Sequence, residues 1–225
     1  MNTIRPAAVL FDMDGTLVDS EKVWDVALNE LAVREAGRHL STDARQAMIG
    51  SSMVISMRIM REDLGLDHEP DQDWLIERVF ELFAQGLVWR PGALELLRAV
   101  REAGLPTALV TSTGRKLVEV ALETLGRENF DVIVCGDEVA VPKPDPTPYR
   151  LAAELLEVPI ERCVAIEDSP TGMASAAASG AAVLAVPSEL ELPPTDGVHL
   201  RDSLVGVDPA YLATLLTSEQ SPHGH

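Results

Sequence analysis

Positive charge is what this chain has least of. Its 225 residues carry 18 Lys and Arg against 36 Asp and Glu, a net charge of −18. Nucleic-acid binding rests on Lys and Arg neutralising phosphates, and a membrane-surface helix needs a basic face, so the composition speaks against both kinds of partner. Cysteine is nearly absent too. Cys135 and Cys163 each adjoin an apolar β-branched run and read as buried strand residues rather than as a disulfide. The apolar run near the start stops at Asp12, too short for the core of a secretion signal, so a reducing cytoplasm is the expected setting. The longest uncharged stretch, Ser169 to Ser188, is interrupted by Pro170, Gly172, Gly180 and Pro187 and reads as helix, turn and strand instead of a membrane span. There is no internal repeat.

What remains is ordinary globular composition, 46% hydrophobic and 24% charged. At roughly 150 residues per domain, the length fits one large domain or a core with a smaller insertion. Short apolar runs occur at Ala7–Phe11, Thr107–Val110, Val132–Cys135, Cys163–Ile166 and Ala181–Val186. Continuous runs of this kind suit strands buried on both faces. Helical patterns lie between them, at Ala93–Ala103, Lys116–Leu125, Pro146–Leu156 and Ser169–Ser179. Alternating strands and helices imply an α/β fold with a doubly wound, mainly parallel sheet, whose ligand site lies at the carboxyl ends of the strands.

One segment breaks that rhythm. Residues 19–86 contain no bounded apolar run. Val23, Ala27, Leu31 and Val33 suggest one helical face, and Met48–Leu64 and Trp74–Leu87 suggest others. The expected organisation is an α/β core over residues 1–18 and 87–217, a small helical insertion over 19–86, and a polar, disordered tail over 218–225.

Polar residues fall where strands end. Asp12-Met13-Asp14-Gly15-Thr16 follows the first strand, Thr111-Ser112-Thr113 the second, Lys143 (within Pro-Lys-Pro) the third, and Glu167-Asp168-Ser169 the fourth. Taken singly, each has a structural reading as a turn residue, a helix N-cap or a solvated lysine. Taken together, DMDGTLVDSE, a strand ending in Thr, PKPDP, and EDS with a Gly three residues on resemble the haloacid dehalogenase-like hydrolase superfamily, over roughly Val9 to Val186. The helical insertion resembles that family's small helical cap.

The resemblance implies a phosphatase with an aspartyl-phosphate intermediate. Asp12 would be the nucleophile and Asp14 the general acid and base. Thr111 and the Ser112 N–H would hold the phosphoryl oxygens, and Lys143 would orient nucleophile and phosphate. Asp12, the Asp14 backbone carbonyl, Glu167 and Asp168 would bind Mg²⁺, since hard oxygen ligands suit that ion. Four carboxylates carry −4, or −3 with Asp14 protonated, and Mg²⁺ with Lys143 supplies +3, which brings the site near neutrality.

Glu21, Trp24, Gly50, Ser51, Ser52 and Thr113 are candidate substrate contacts. The Asp-Ser-Glu-x-x-Trp pattern at Asp19–Trp24 resembles hexose- and deoxyhexose-phosphate phosphatases, although Trp24 reads more readily as a packing residue than as a sugar platform. The expected substrate is a small phosphorylated metabolite, a sugar phosphate above all, and the expected state is a monomer.

A β-phosphoglucomutase-type mutase is the alternative. It is weakened because Met53 stands where those relatives carry a cap arginine, Arg58 lies further along, and Trp24 stands in place of a histidine. Asp14 speaks against a dehalogenase. A phospho-acceptor signalling module orders its motifs differently, and a non-catalytic binding protein would be expected to have lost one of Asp12, Asp14, Lys143 or Asp168.

Overall fold

The computed structural model describes residues 5–216. The expected tail at 218–225 lies outside the described residues. Six parallel strands form one sheet in the order β3-β2-β1-β4-β5-β6. The strands are β1 (Ala8–Phe11), β2 (Thr107–Val110), β3 (Val132–Val134), β4 (Cys163–Glu167), β5 (Ala182–Ala185) and β6 (Val198–Leu200). Helices α1 (Glu21–Ala36), α2 (Thr42–Met48), α3 (Met53–Leu64) and α4 (Gln72–Phe83) follow β1. After them come α5 (Ala93–Glu102), α6 (Arg115–Leu125), α7 (Thr147–Leu155), α8 (Pro170–Ser179) and α9 (Pro209–Leu215).

The apolar runs are continuous because both faces of the sheet are covered. In β1, Val9 and Phe11 enter one core and Ala8 and Leu10 enter the other, and all four are fully buried. Such alternation follows from the two-residue period of a strand. The first core takes leucines and valines of α5, α6 and α9. The second takes Tyr149, Ala152 and Ala153 of α7 with Ala176 of α8. The Ala-rich α8 starts with Ser169 as its N-cap, whose hydroxyl accepts the Gly172 N–H at 3.1 Å.

Four helices lie between β1 and α5, with bounds that differ from those expected. The buried face of α1 is Ala27, Leu28, Leu31 and Ala32, whereas Val33 is 43% exposed. Val33 follows Leu31 by two positions, about 200° around a helix, and so cannot share its face. The expected Met48–Leu64 helix is broken at residues 49–52. Met48 closes α2, and Ser52 is the extended N-cap of α3. The last expected helix starts earlier, where the Asp71 side chain accepts the Trp74 N–H at 3.0 Å, and ends at Phe83. Side chains from α1 to α4 join the same core as β1 and α5.

Both cysteines are buried and free, Cys163 opening β4 and Cys135 lying one residue past β3. Among the described residues, α2, β6 and α9 have no counterpart in the sequence reading. Among the described residues, no helix is long and apolar enough to cross a membrane.

Leu109 is fully buried in the centre of β2. Its replacement by Ala should cost about 2–5 kcal/mol in urea unfolding. Leu155→Ala, at a site 55% exposed, should stay within about 0.5 kcal/mol of the parent.

Candidate active site

The strand order places the carboxyl ends of β2, β1 and β4 side by side, and the polar residues that follow them meet there. Asp12 leaves β1 with its N–H bonded to the Ile166 carbonyl of β4 at 3.0 Å. Lys143 reaches in from the loop after β3 and is 3% exposed. Its ammonium donates to Asp12 Oδ1 at 2.7 Å, to Glu167 Oε1 at 2.7 Å and to the Val110 carbonyl at 2.9 Å. All three of its protons are therefore placed. The Tyr149 hydroxyl also donates to Glu167 Oε1, and Lys143 Nζ lies 5.0 Å from the Tyr149 ring centroid.

Asp12, Glu167 and Asp168 form a buried cluster whose ligand oxygens lie within 4.8 Å of one another. Three carboxylates face one ammonium, so the pocket carries surplus negative charge. Burial, and then the neighbouring Glu167 and Asp14, push the Asp12 carboxyl up to about 8 against the pull of Lys143. Burial first, and then Asp12 and Glu167, lift Asp168 well above the carboxylate range. Burial works to lower the Lys143 pKa, but Asp12 and Glu167 outweigh it and hold the lysine above its ordinary value. A dry, oxygen-only donor set with unbalanced charge fits a hard divalent cation such as Mg²⁺.

Two glycines make room for the carboxylates. Gly15 has φ +74°, and a Cβ there would lie 1.9 Å from Asp168 Oδ2. A Cβ at Gly172 would lie 1.9 Å from Glu167 Oε2. No real side chain tolerates either approach.

Asp14 is held by four donors. The Thr111 and Thr113 hydroxyls reach Oδ2 at 3.1 and 2.8 Å. The Ser20 hydroxyl and the Trp24 indole N–H reach Oδ1 at 2.6 and 3.2 Å. Trp24 also packs edge-to-face on Phe83 at 6.3 Å, as the packing reading expected, and its hydrogen bond to Asp14 was not foreseen. The Thr111 hydroxyl, expected to hold a phosphoryl oxygen, here serves Asp14 and accepts the Thr113 N–H at 3.0 Å.

Beside this cluster opens a cavity of about 680 Å³ between insertion and core. Asp12, Asp14, Asp168, Lys143, Ser112 and Thr113 line it, as do the insertion candidates Glu21, Trp24, Gly50, Ser51 and Ser52. Thr111 and Glu167 stand behind it. Met53 lines the cavity as well, while Arg58 is exposed on α3 and lies outside it.

Sequence reasoning missed three contributors. Ser20 sat inside a motif already singled out. Tyr149 bears no local signal, because its partner lies 18 residues away on another element. Arg45 lines the cavity and donates to Glu21 Oε2 at 2.9 Å; it lies on a helix that the periodicity did not isolate. Burial raises the Glu21 carboxyl, and Arg45 opposes that shift.

Two outcomes follow. Gly172→Ala should displace the Glu167 carboxylate and lower metal affinity about 10–100-fold, with an unchanged far-UV spectrum. The second concerns pH. Asp12 and Asp168 keep protons in the folded, metal-free protein that the unfolded chain releases near its ordinary carboxylate pKa. Folding then takes up protons, so this contribution to stability is complete below about 4 and is lost as pH rises toward about 8. The melting temperature of metal-free protein should fall across that window. Added Mg²⁺ should raise it more at pH 8 than at pH 5.5, as followed by thermal unfolding.

Residues 6–180 match the family model described as haloacid dehalogenase-like hydrolase. Hexitol phosphatase A of Escherichia coli (strain K12) is 31% identical over 208 residues, covering 88% of this chain and 90% of that protein. Protein CbbY of Cereibacter sphaeroides is 37% identical, covering 77% of this chain and 80% of the relative. The crystal structure of a CbbY mutant from Rhodobacter sphaeroides in complex with xylulose-(1,5)bisphosphate superposes with a TM-score of 0.75 at 31% identity, covering 89% of this chain and 96% of that one. The Asp after β1, the buried lysine, the acidic pair after β4 and these similarities agree: the chain belongs to the haloacid dehalogenase-like hydrolases.

Proposed function

We propose that the chain is a Mg²⁺-dependent phosphatase that hydrolyses a small phosphorylated metabolite, a sugar phosphate, through an aspartyl-phosphate on Asp12. The observation that carries this reading is the pairing of Asp12 and Asp14 at one strand end, both lining the cavity, with Lys143 and Asp168 beside them and Glu167 behind. Membership of the hydrolase family and likeness to a named hexitol phosphatase support it.

The roles follow from the positions. Asp12 attacks phosphorus with the oxygen that Lys143 leaves free, and the alcohol departs. Asp14 gives that alcohol its proton, then takes one from the water that attacks the aspartyl-phosphate, releasing inorganic phosphate and regenerating Asp12. Lys143 fixes the Asp12 carboxylate and offsets its charge. The Ser112 N–H and the Thr111 hydroxyl hold phosphoryl oxygens once substrate competes with Asp14 for them. Asp12, Glu167, Asp168 and the Asp14 carbonyl would hold Mg²⁺, which when bound supplies charge that stabilises the transferring phosphoryl group. Residues 19–86 act as a cap that excludes water and contacts the rest of the substrate.

The mutase alternative is less well supported. Met53 occupies the relevant turn, and Arg58 is exposed outside the cavity. A monomer belongs to the same reading, and so does a reducing cytoplasm, with which the two buried free thiols agree.

Asp12→Asn should lower turnover of a sugar phosphate at least about 10³-fold while the protein stays folded. Phosphate release with Mg²⁺ and circular dichroism measure the two, and a variant of wild-type rate would sink the mechanism. Activity that persists under full chelation would overturn the metal requirement.

A further inference from the structure

The helical side of the cavity carries one buried ion pair that phosphoryl transfer does not use. Glu21, in the first turn of α1, and Arg45, on α2, both line the cavity, with side chains 7% and 14% exposed. Arg45 Nη2 donates to Glu21 Oε2 at 2.9 Å and to the Glu21 carbonyl at 3.1 Å, and Arg45 Nε donates to Asp25 Oδ1 at 2.9 Å. One guanidinium therefore faces two carboxylates. Besides Lys143 and Arg45, Lys116 lines the cavity, and it is paired with Glu77. Among the described residues, each cation on the cavity wall already has a carboxylate partner.

What is left over is a neutral donor and acceptor pattern. Among the described residues, no donor reaches Glu21 Oε1 and no acceptor reaches Arg45 Nη1. A hydroxyl group complements both, because it donates to the carboxylate and accepts from the guanidinium. A phosphate dianion offers only acceptors, and here it would face the carboxylate of Glu21, while Asp25, outside the cavity, already offsets part of the Arg45 charge. Neighbouring wall residues such as Leu28, Met48 and Leu75 are apolar and suit the carbon face of a sugar or polyol.

We propose that Glu21 and Arg45 form a hydroxyl-reading subsite that selects phosphate monoesters with an uncharged sugar or polyol body and rejects esters carrying a second phosphate. This rests on the phosphatase reading above. It separates the chain from the similar CbbY protein seen with a bisphosphate. Selectivity of this kind combines attraction for one ligand with charge repulsion against the other.

The test compares kcat/KM for sorbitol 6-phosphate, glucose 6-phosphate, glucose 1,6-bisphosphate and p-nitrophenyl phosphate, all with Mg²⁺. The two neutral-bodied monoesters should exceed the bisphosphate about tenfold or more. Glu21→Gln should raise KM for glucose 6-phosphate about tenfold and narrow the ratio to the bisphosphate. Asp25→Asn changes the charge around Arg45 from a site that is 53% exposed. It should narrow the ratio too, and it decides the matter if Glu21→Gln fails to fold. Arg58→Ala, outside the cavity, should keep the parent ratio. A parent enzyme that uses the bisphosphate as well as the monoesters would overturn the subsite, as would both charge variants leaving the ratio unmoved. Failure to hydrolyse even p-nitrophenyl phosphate would instead overturn the phosphatase reading, and the subsite with it.

Discussion

Lys143 is buried between Asp12 and Glu167, and the rest of the site is arranged around that contact. An ammonium removed from water is costly unless carboxylates meet it, and the carboxylates are costly unless the ammonium meets them. The pair of contacts at 2.7 Å therefore ties the loop after β3 to the ends of β1 and β4. That is possible only because β1 and β4 are neighbours at the centre of the sheet. Packing on both faces, in turn, holds those strands in register. The balance is deliberately incomplete in charge: Asp168 adds a third carboxylate with no cation opposite it. The same three residues that destabilise one another in isolation are the ones suited to a divalent ion.

Legibility in the sequence followed locality. The apolar run at Ala8–Phe11 announced a strand because both of its faces are covered, and the acidic residues after it were visible as a break in that run. Cys163–Ile166 was legible for the same reason, although the strand runs one residue further, to Glu167. Val33 was misread because its hydrophobicity carries no tertiary meaning; it faces outward. The break at residues 49–52 depends on how α2 and α3 pack, not on their own periodicity. β6 is three residues long and partly exposed, so nothing but pairing with β5 makes it a strand. α9 did carry a signal, an Asp208 N-cap followed by Pro209, that was too brief to stand out. Tyr149 and Arg45 could not be read at all, since each gains its meaning from a partner on a distant element.

In the proposed reading, the chemistry and the choice of substrate are housed in different parts of the chain. Residues at strand ends are locked by the sheet. Those of the insertion are arranged by helix packing and ion pairs such as Arg45 with Glu21 and Asp25. A scaffold of this type can keep one reaction while its helices vary, because function resides in the site and not in the architecture.

Asp14 limits that freedom. Two of its four hydrogen bonds come from the core, through Thr111 and Thr113, and two come from the start of the insertion, through Ser20 and Trp24. A single carboxylate is thus jointly owned by both parts. In evolutionary terms the insertion is not a detachable module. A foreign helical segment grafted between β1 and α5 would bring its own specificity, but it would also have to supply replacements for a hydroxyl and an indole N–H at its first turn. The junction has to be inherited with the core, and recombination can exchange only what lies beyond it.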